Sequence, residues 1–118
     1  MTVTKKSALV IFSSGEKPKK AFLTYHGINN AETIKNGVSG EINSSFPLTY
    51  VRITVRDSEN KLVASSHRYD FQRTYYIDLG DMNKELDLPS LEKGKYTLTI
   101  RAGIARGGVD FEKFEFEV

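Results

Sequence analysis

A chain of 118 residues is enough for one domain with one core and too short for two. Lys and Arg number 17 against 15 Asp and Glu, a net charge of +2 that argues against a nucleic-acid partner. Cysteine is absent, which excludes disulfides, thiolate nucleophiles and thiolate metal sites.

The apolar residues are spread in short runs, as expected for a folded domain with one solvated sheet face. Ala8–Phe12 reads as a first strand. It follows Lys5 and Lys6, but its five residues fall short of the roughly 7–15 that a signal-peptide core needs. No stretch reaches membrane-spanning length. Ser13–Lys20 reads as a loop in which Pro18 stops any ladder. Ala21–His26 is a second strand, ended by Gly27. Asn30–Gly37 has the signature of one helical turn, with Asn30 as N-cap and Gly37 past the C-terminus. Val38–Asn43 adds a short strand broken by Gly40.

From Leu48 onward the pattern sharpens. In Thr49–Arg56, Val51, Ile53 and Val55 share one face, and Arg52, Thr54 and Arg56 share the other, the alternation of a half-buried strand. Asp57-Ser-Glu-Asn60 is a hairpin turn, because aspartate favours the first turn position and asparagine tolerates positive φ. Leu62–Ser65 is the return strand. His67–Arg73 breaks the alternation, and Thr74–Leu79 resumes it with Tyr75, Ile77 and Leu79 facing inward. Met82–Leu86 forms a single helical turn crossing between sheets.

Leu88–Arg101 is the most distinctive run. Leu91 plugs the core, Gly94 permits a sharp corner, and Tyr96, Leu98 and Ile100 face inward along a strand. This spacing is that of the corner tyrosine of immunoglobulin-like sandwiches, whose hydroxyl bonds back to backbone near the entering turn. Gly103–Gly108 holds three glycines, enough for a tight or mobile hairpin. In Val109–Val118, Val109 and Phe111 fall on one parity while Phe114, Phe116 and Val118 fall on the other. A β-bulge near Glu112-Lys113 restores the register. Glu115 and Glu117 then face solvent and discourage edge-to-edge aggregation.

About seven strands with regularly spaced hairpins predict a single all-β domain over residues 1–118, an immunoglobulin-like antiparallel β-sandwich. A small β-barrel is the alternative. Val51, Ile53, Ile77, Leu98 and Phe116 are the expected interior.

From Pro47 to the C-terminus the chain resembles the small immunoglobulin-like domains of secreted Bacteroidetes proteins of unknown function. The resemblance is carried by Val51-Arg-Ile-Thr-Val-Arg-Asp-Ser-Glu-Asn-Lys-Leu-Val63, Tyr76-Ile-Asp-Leu79, Gly94-Lys-Tyr-Thr-Leu-Thr-Ile100 and Phe114-Glu-Phe-Glu-Val118. Asn60 stands where such domains usually have glycine. The resemblance implies an extracellular or periplasmic location, with the cytoplasm as the alternative. It also implies a binding or spacer role and brings no catalytic residues with it.

The chemistry in the chain is sparse. His26 and His67 are the only histidines, and neither belongs to a recognisable motif. An enzyme would need both to converge on a carboxylate in a cleft, and the expectation is that this is not an enzyme. Asp57–Asn60 and Asp78–Asp81 each offer fewer oxygens than the six or seven of a calcium site and read as turns. No phosphate-cradling glycine loop and no other cofactor motif is present. His67-Arg-Tyr-Asp-Phe-Gln-Arg-Thr-Tyr-Tyr76 gathers aromatics and arginines, the residue types enriched where proteins meet partners or sugars. Its candidate binding residues are Arg68, Tyr69, Phe71, Arg73 and Tyr76. Arg101 and Arg106 would join them if the loops meet at one end of the sandwich. The bland account sends Phe71 and Tyr75 to the core and lays Tyr69 and Tyr76 along the sheet. The expected partner is a protein, or alternatively a glycan held on exposed tyrosines. Self-association through an edge strand is a further option.

Overall fold

The computed structural model describes residues 4–14, 17–27, 32–69, 74–105 and 107–118. Its strands are β1 (Thr4–Ser14), β2 (Lys17–Gly27), β3 (Glu41–Ser44), β4 (Tyr50–Asp57), β5 (Leu62–Arg68), β6 (Tyr76–Asp78), β7 (Lys95–Ile104) and β8 (Gly107–Glu117). They build two four-stranded antiparallel sheets, ordered β1-β2-β3-β6 and β5-β4-β7-β8. The protein is therefore an all-β sandwich, with eight strands rather than about seven, and the sheets do not close into a barrel.

The alternation in β4 and β7 builds one inner face. Val51, Ile53 and Val55 lie buried opposite Ala102, Ile100 and Leu98, with Tyr96 beside Phe116 on the next pair of strands. The facing sheet contributes Ala21, Leu23, Tyr25 and Ile42. The segments crossing between the sheets seal the sandwich. Ile34, Val38, Leu79, Met82, Leu86 and Leu88 are all buried, and a helical turn, α1 (Asn83–Leu86), packs on β5. Asn83 fastens two of these crossings together. Its side chain accepts from the Val38 amide and donates to the Val38 carbonyl, both at 2.8 Å. Both backbone groups of a buried residue are satisfied by one amide side chain.

The corner tyrosine is in place. The Tyr96 hydroxyl donates to the Glu92 carbonyl at 2.6 Å, and its ring stacks on Phe116 at 5.6 Å. Tyr96→Phe keeps the ring and loses the bond, so it is expected to cost about 1 kcal/mol in chemical unfolding. A change within error would mean that the corner does not depend on the hydroxyl. The Asp57 turn also forms as expected. One Asp57 carboxylate oxygen accepts from Glu59 and Lys61, both at 2.9 Å, and Asn60 sits at φ 65°.

Several expectations are corrected. Ser13–Lys20 is not a loop: β1 and β2 continue to Ser14 and from Lys17, and Pro18 lies opposite Ser13. Strand β3 pairs with β2 only at Leu23–His26, so the proline stands where β2 has a neighbour on one side alone. The short strand in the Val38–Asn43 region begins after Gly40, at Glu41. The turn before it is a 3-10 turn at Ile34–Asn36, preceded by Thr33 without a side-chain capping bond and ended by Gly37, whereas Asn30 lies outside the described residues. The β8 bulge falls earlier than expected. Ile100 faces Glu112 and Arg101 faces Asp110, so Phe111 is the extra residue, and it points into the core at 3% exposure. Tyr75 is not a core residue. It is 48% exposed, because the strand that was to bury it starts only at Tyr76 and lies at the edge of its sheet. Ile77 is only partly buried for the same reason.

Candidate binding surfaces

Residues directly opposite on antiparallel strands share a face. This rule turns the registers into a map of the two solvent faces.

On the β5-β4-β7-β8 sheet, one row crosses all four strands: His67, Arg52, Arg101 and Asp110. Tyr50 starts the neighbouring row and is followed by Gly103 and Gly108. Its ring lies against these two glycines. A Cβ at Gly103 would come within 2.3 Å of the ring, and one at Gly108 within 2.1 Å of the hydroxyl. Glycine is required at both positions for the tyrosine to lie down. The Tyr50 hydroxyl then accepts from Arg101 Nε at 3.0 Å, while Arg101 Nη1 donates to Asp110 at 3.0 Å. These two partners, Asp110 foremost, hold the Arg101 guanidinium protonated beyond its ordinary range. The Arg52 guanidinium lies over the Tyr50 ring, 5.5 Å from its centre, and has no carboxylate partner among the described residues. A shallow cavity of about 330 Å³ is lined by Tyr50, Val51, Arg52, His67 and Tyr69.

On the opposite sheet, His26, Glu41 and Asp78 form a row, with Tyr76 and Asn43 in the next. Glu41 lies 3.7 Å from His26 Nδ1 and accepts a hydrogen bond from Tyr76. The carboxylate pushes the Tyr76 phenol above its ordinary range. His26, Glu41, Tyr76 and Asp78 line a second cavity of about 360 Å³. Among the described residues, no three His, Asp or Glu side chains converge as a metal site would require.

The sequence-derived site residues that are described, Arg68, Tyr69 and Tyr76, therefore do not meet. Tyr69 borders the Arg52 cavity and is 74% exposed. Tyr76 lies on the other sheet. Arg68 points to the inner side, where it binds Glu85 at 2.6 Å and donates to the Asp81 carbonyl at 3.2 Å, tying the α1 region to β5. Phe71, Arg73 and Arg106 lie outside the described residues. The two histidines stand on different sheets and line different cavities, so they do not converge on a shared carboxylate. Sequence reading passed over Tyr50, Arg52 and the glycines opposite Tyr50. The available signal was a glycine on each of the next two strands beyond that of the tyrosine, and it becomes readable only once the register is known.

Arg68 and Glu85 make a test of their own. The Arg68 hydrogen bond holds the Glu85 carboxyl below its ordinary range. A carboxylate with a lowered folded pKa contributes stability at neutral pH that is lost as pH falls through that lowered range. The pair is partly exposed, so the effect is modest. Arg68→Gln is expected to melt below the wild type at neutral pH, and the gap should close in acid. A gap that persists in acid would place the role of Arg68 in its backbone contacts instead.

A larger cavity, about 860 Å³, lies at the other end of the sandwich around Lys35, Asp57, Tyr96 and Glu117. Its lining mixes acids and bases, and Asp57 and Tyr96 are already committed to the turn and the corner. Comparison of the chain with protein-family models, with curated proteins and with solved structures yields no match. Among the described residues, no helix is long and apolar enough to cross a membrane.

Proposed function

We propose that this sandwich is a non-enzymatic binding or assembly domain that meets a protein partner through the outer face of its β5-β4-β7-β8 sheet. The observation that carries this reading is the arrangement around Arg52. An arginine lying over a tyrosine, with no acidic partner among the described residues and an exposed tyrosine beside it, is the composition of a binding hot spot. The resemblance to secreted immunoglobulin-like domains agrees with a binding role and with an extracellular or periplasmic setting.

The glycan alternative asks for two coplanar exposed rings on one face. Tyr69 follows β5 of one sheet and Tyr76 lies on the other, which favours the protein reading. Assembly through the β5 edge competes on one observation: Leu62 and Val63 are 45% and 40% exposed on an edge strand. Sedimentation distinguishes it, since a dimer lost on Val63→Lys would favour the edge.

The test of the main reading is in-cell cross-linking with the wild type and Tyr69→Ala. A specific partner captured by the wild type and lost in the variant, with the melting midpoint unchanged, supports it. Capture that is indifferent to Tyr69→Ala and to Arg52→Gln removes this face from consideration.

A further inference from the structure

Resting on the binding reading above, we propose that the Arg52 row receives carboxylates, and that the partner presents an acidic polypeptide segment to it. Arg52 and Arg101 are directly opposite each other on β4 and β7, and like charges in that position repel. Arg101 is neutralised within the fold by Asp110 and bonded to the Tyr50 hydroxyl. Nothing among the described residues does this for Arg52. Its neighbour on the other side, His67, adds no negative charge. The row therefore runs from an acid-paired arginine to an unpaired one, then to a histidine on the edge strand, where it opens to solvent.

The shape of the site selects the ligand group. The Arg52 guanidinium lies over Tyr50, 5.5 Å from the ring centre, and its N–H fork has no acceptor among the described residues. A planar fork matches the two oxygens of a carboxylate. An acidic sugar would supply the same group but would also need a ring to stack on. Tyr50 cannot serve, because Arg52 lies over it and the Gly103 and Gly108 backbones lie against it. Among the described residues of this cavity, only Tyr69 offers an exposed ring. A polypeptide needs no second ring, and Tyr69 can cover its aliphatic stems beside the charge.

The experiment is fluorescence anisotropy of labelled octaglutamate at low ionic strength, with octaglutamine as the neutral control. The wild type is expected to bind octaglutamate and not octaglutamine. Arg52→Gln removes a charge-assisted hydrogen-bond donor and should weaken binding by about tenfold or more. Arg52→Lys keeps the charge but loses the fork, and should weaken it by about threefold. Lys35→Gln, the same charge change at the far end of the sandwich, should alter binding by less than about twofold. Equal losses in Arg52→Gln and Lys35→Gln would reduce the effect to net charge and overturn the proposal. So would absent octaglutamate binding. If polygalacturonate binds in an Arg52-dependent way while octaglutamate does not, the ligand is an acidic glycan and the polypeptide assignment falls. Loss of partner capture in Tyr69→Ala, with octaglutamate failing to bind, would leave the binding-domain reading standing and this inference overturned.

Discussion

Tyr25→Ala is expected to lower the unfolding free energy by about 3–5 kcal/mol, the range for deleting a fully buried aromatic side chain. Tyr25 is 0% exposed and is the largest wholly buried side chain of the β2 face. Its ring meets Phe111 of the facing sheet at 6.0 Å with a 31° tilt, so it spans the gap that defines the sandwich. Alanine leaves a void between two sheets that share no strand pairing, and a rigid sheet cannot collapse to fill it. Urea unfolding at constant m-value measures the loss. A loss below about 1 kcal/mol would mean that the two inner faces are not packed on this residue. A double-mutant cycle with Phe111→Leu should show coupling of about 0.5–1.5 kcal/mol, because the two rings form one contact.

The second large effect comes from a residue with no side chain. Gly40 sits at φ 112°, and a Cβ there would lie 2.3 Å from the His26 carbonyl oxygen and 2.9 Å from the Gly27 Cα. Both obstacles are backbone, so no rotamer change relieves them. Gly40→Ala must shift the entry to β3, and the Gly40 carbonyl is the acceptor of the Leu79 amide at 2.9 Å. Strand β3 is short, yet it is the link between β2 and β6. The expected cost is about 2–3 kcal/mol or more, combining left-handed strain with a disturbed ladder. Thermal melting measures it, and hydrogen exchange should place the loosening at β3 and β6 first. A variant melting within a degree or two of the wild type would show that the β2–β3 junction yields without cost.

Legibility along the chain followed the strength of the local rules. Val51, Ile53 and Val55 alternate because β4 lies inside its sheet, with solvent on one face and core on the other. The Asp57 turn and the Tyr96 corner each close over a few residues, so their chemistry is written in adjacent letters. The β1–β2 hairpin was misread because Pro18 is a breaker only where a strand has two neighbours. That neighbourhood is a property of the sheet, not of the segment. Tyr75 was misread because its parity was right while its strand lay at an edge.

The functional surface divides in the same way. The run from His67 to Tyr76 looked like one site because its aromatics and arginines are close in sequence. The fold sends Tyr69 and Tyr76 to different sheets and turns Arg68 inward to Glu85. The surface that replaces it joins the row of residues 67, 52, 101 and 110 with Tyr50 and Tyr69 beside it, drawn from four separate segments of the chain.

By itself the sequence determined the fold class, the corner, the turns and the absence of thiol chemistry, since each of these rests on local periodicity, local hydrogen bonding or composition. Only the tertiary structure decided which charges lie side by side. Strand order and register are long-range pairings, and they set Arg52 beside Arg101 and seat Tyr50 on two glycines about fifty residues away.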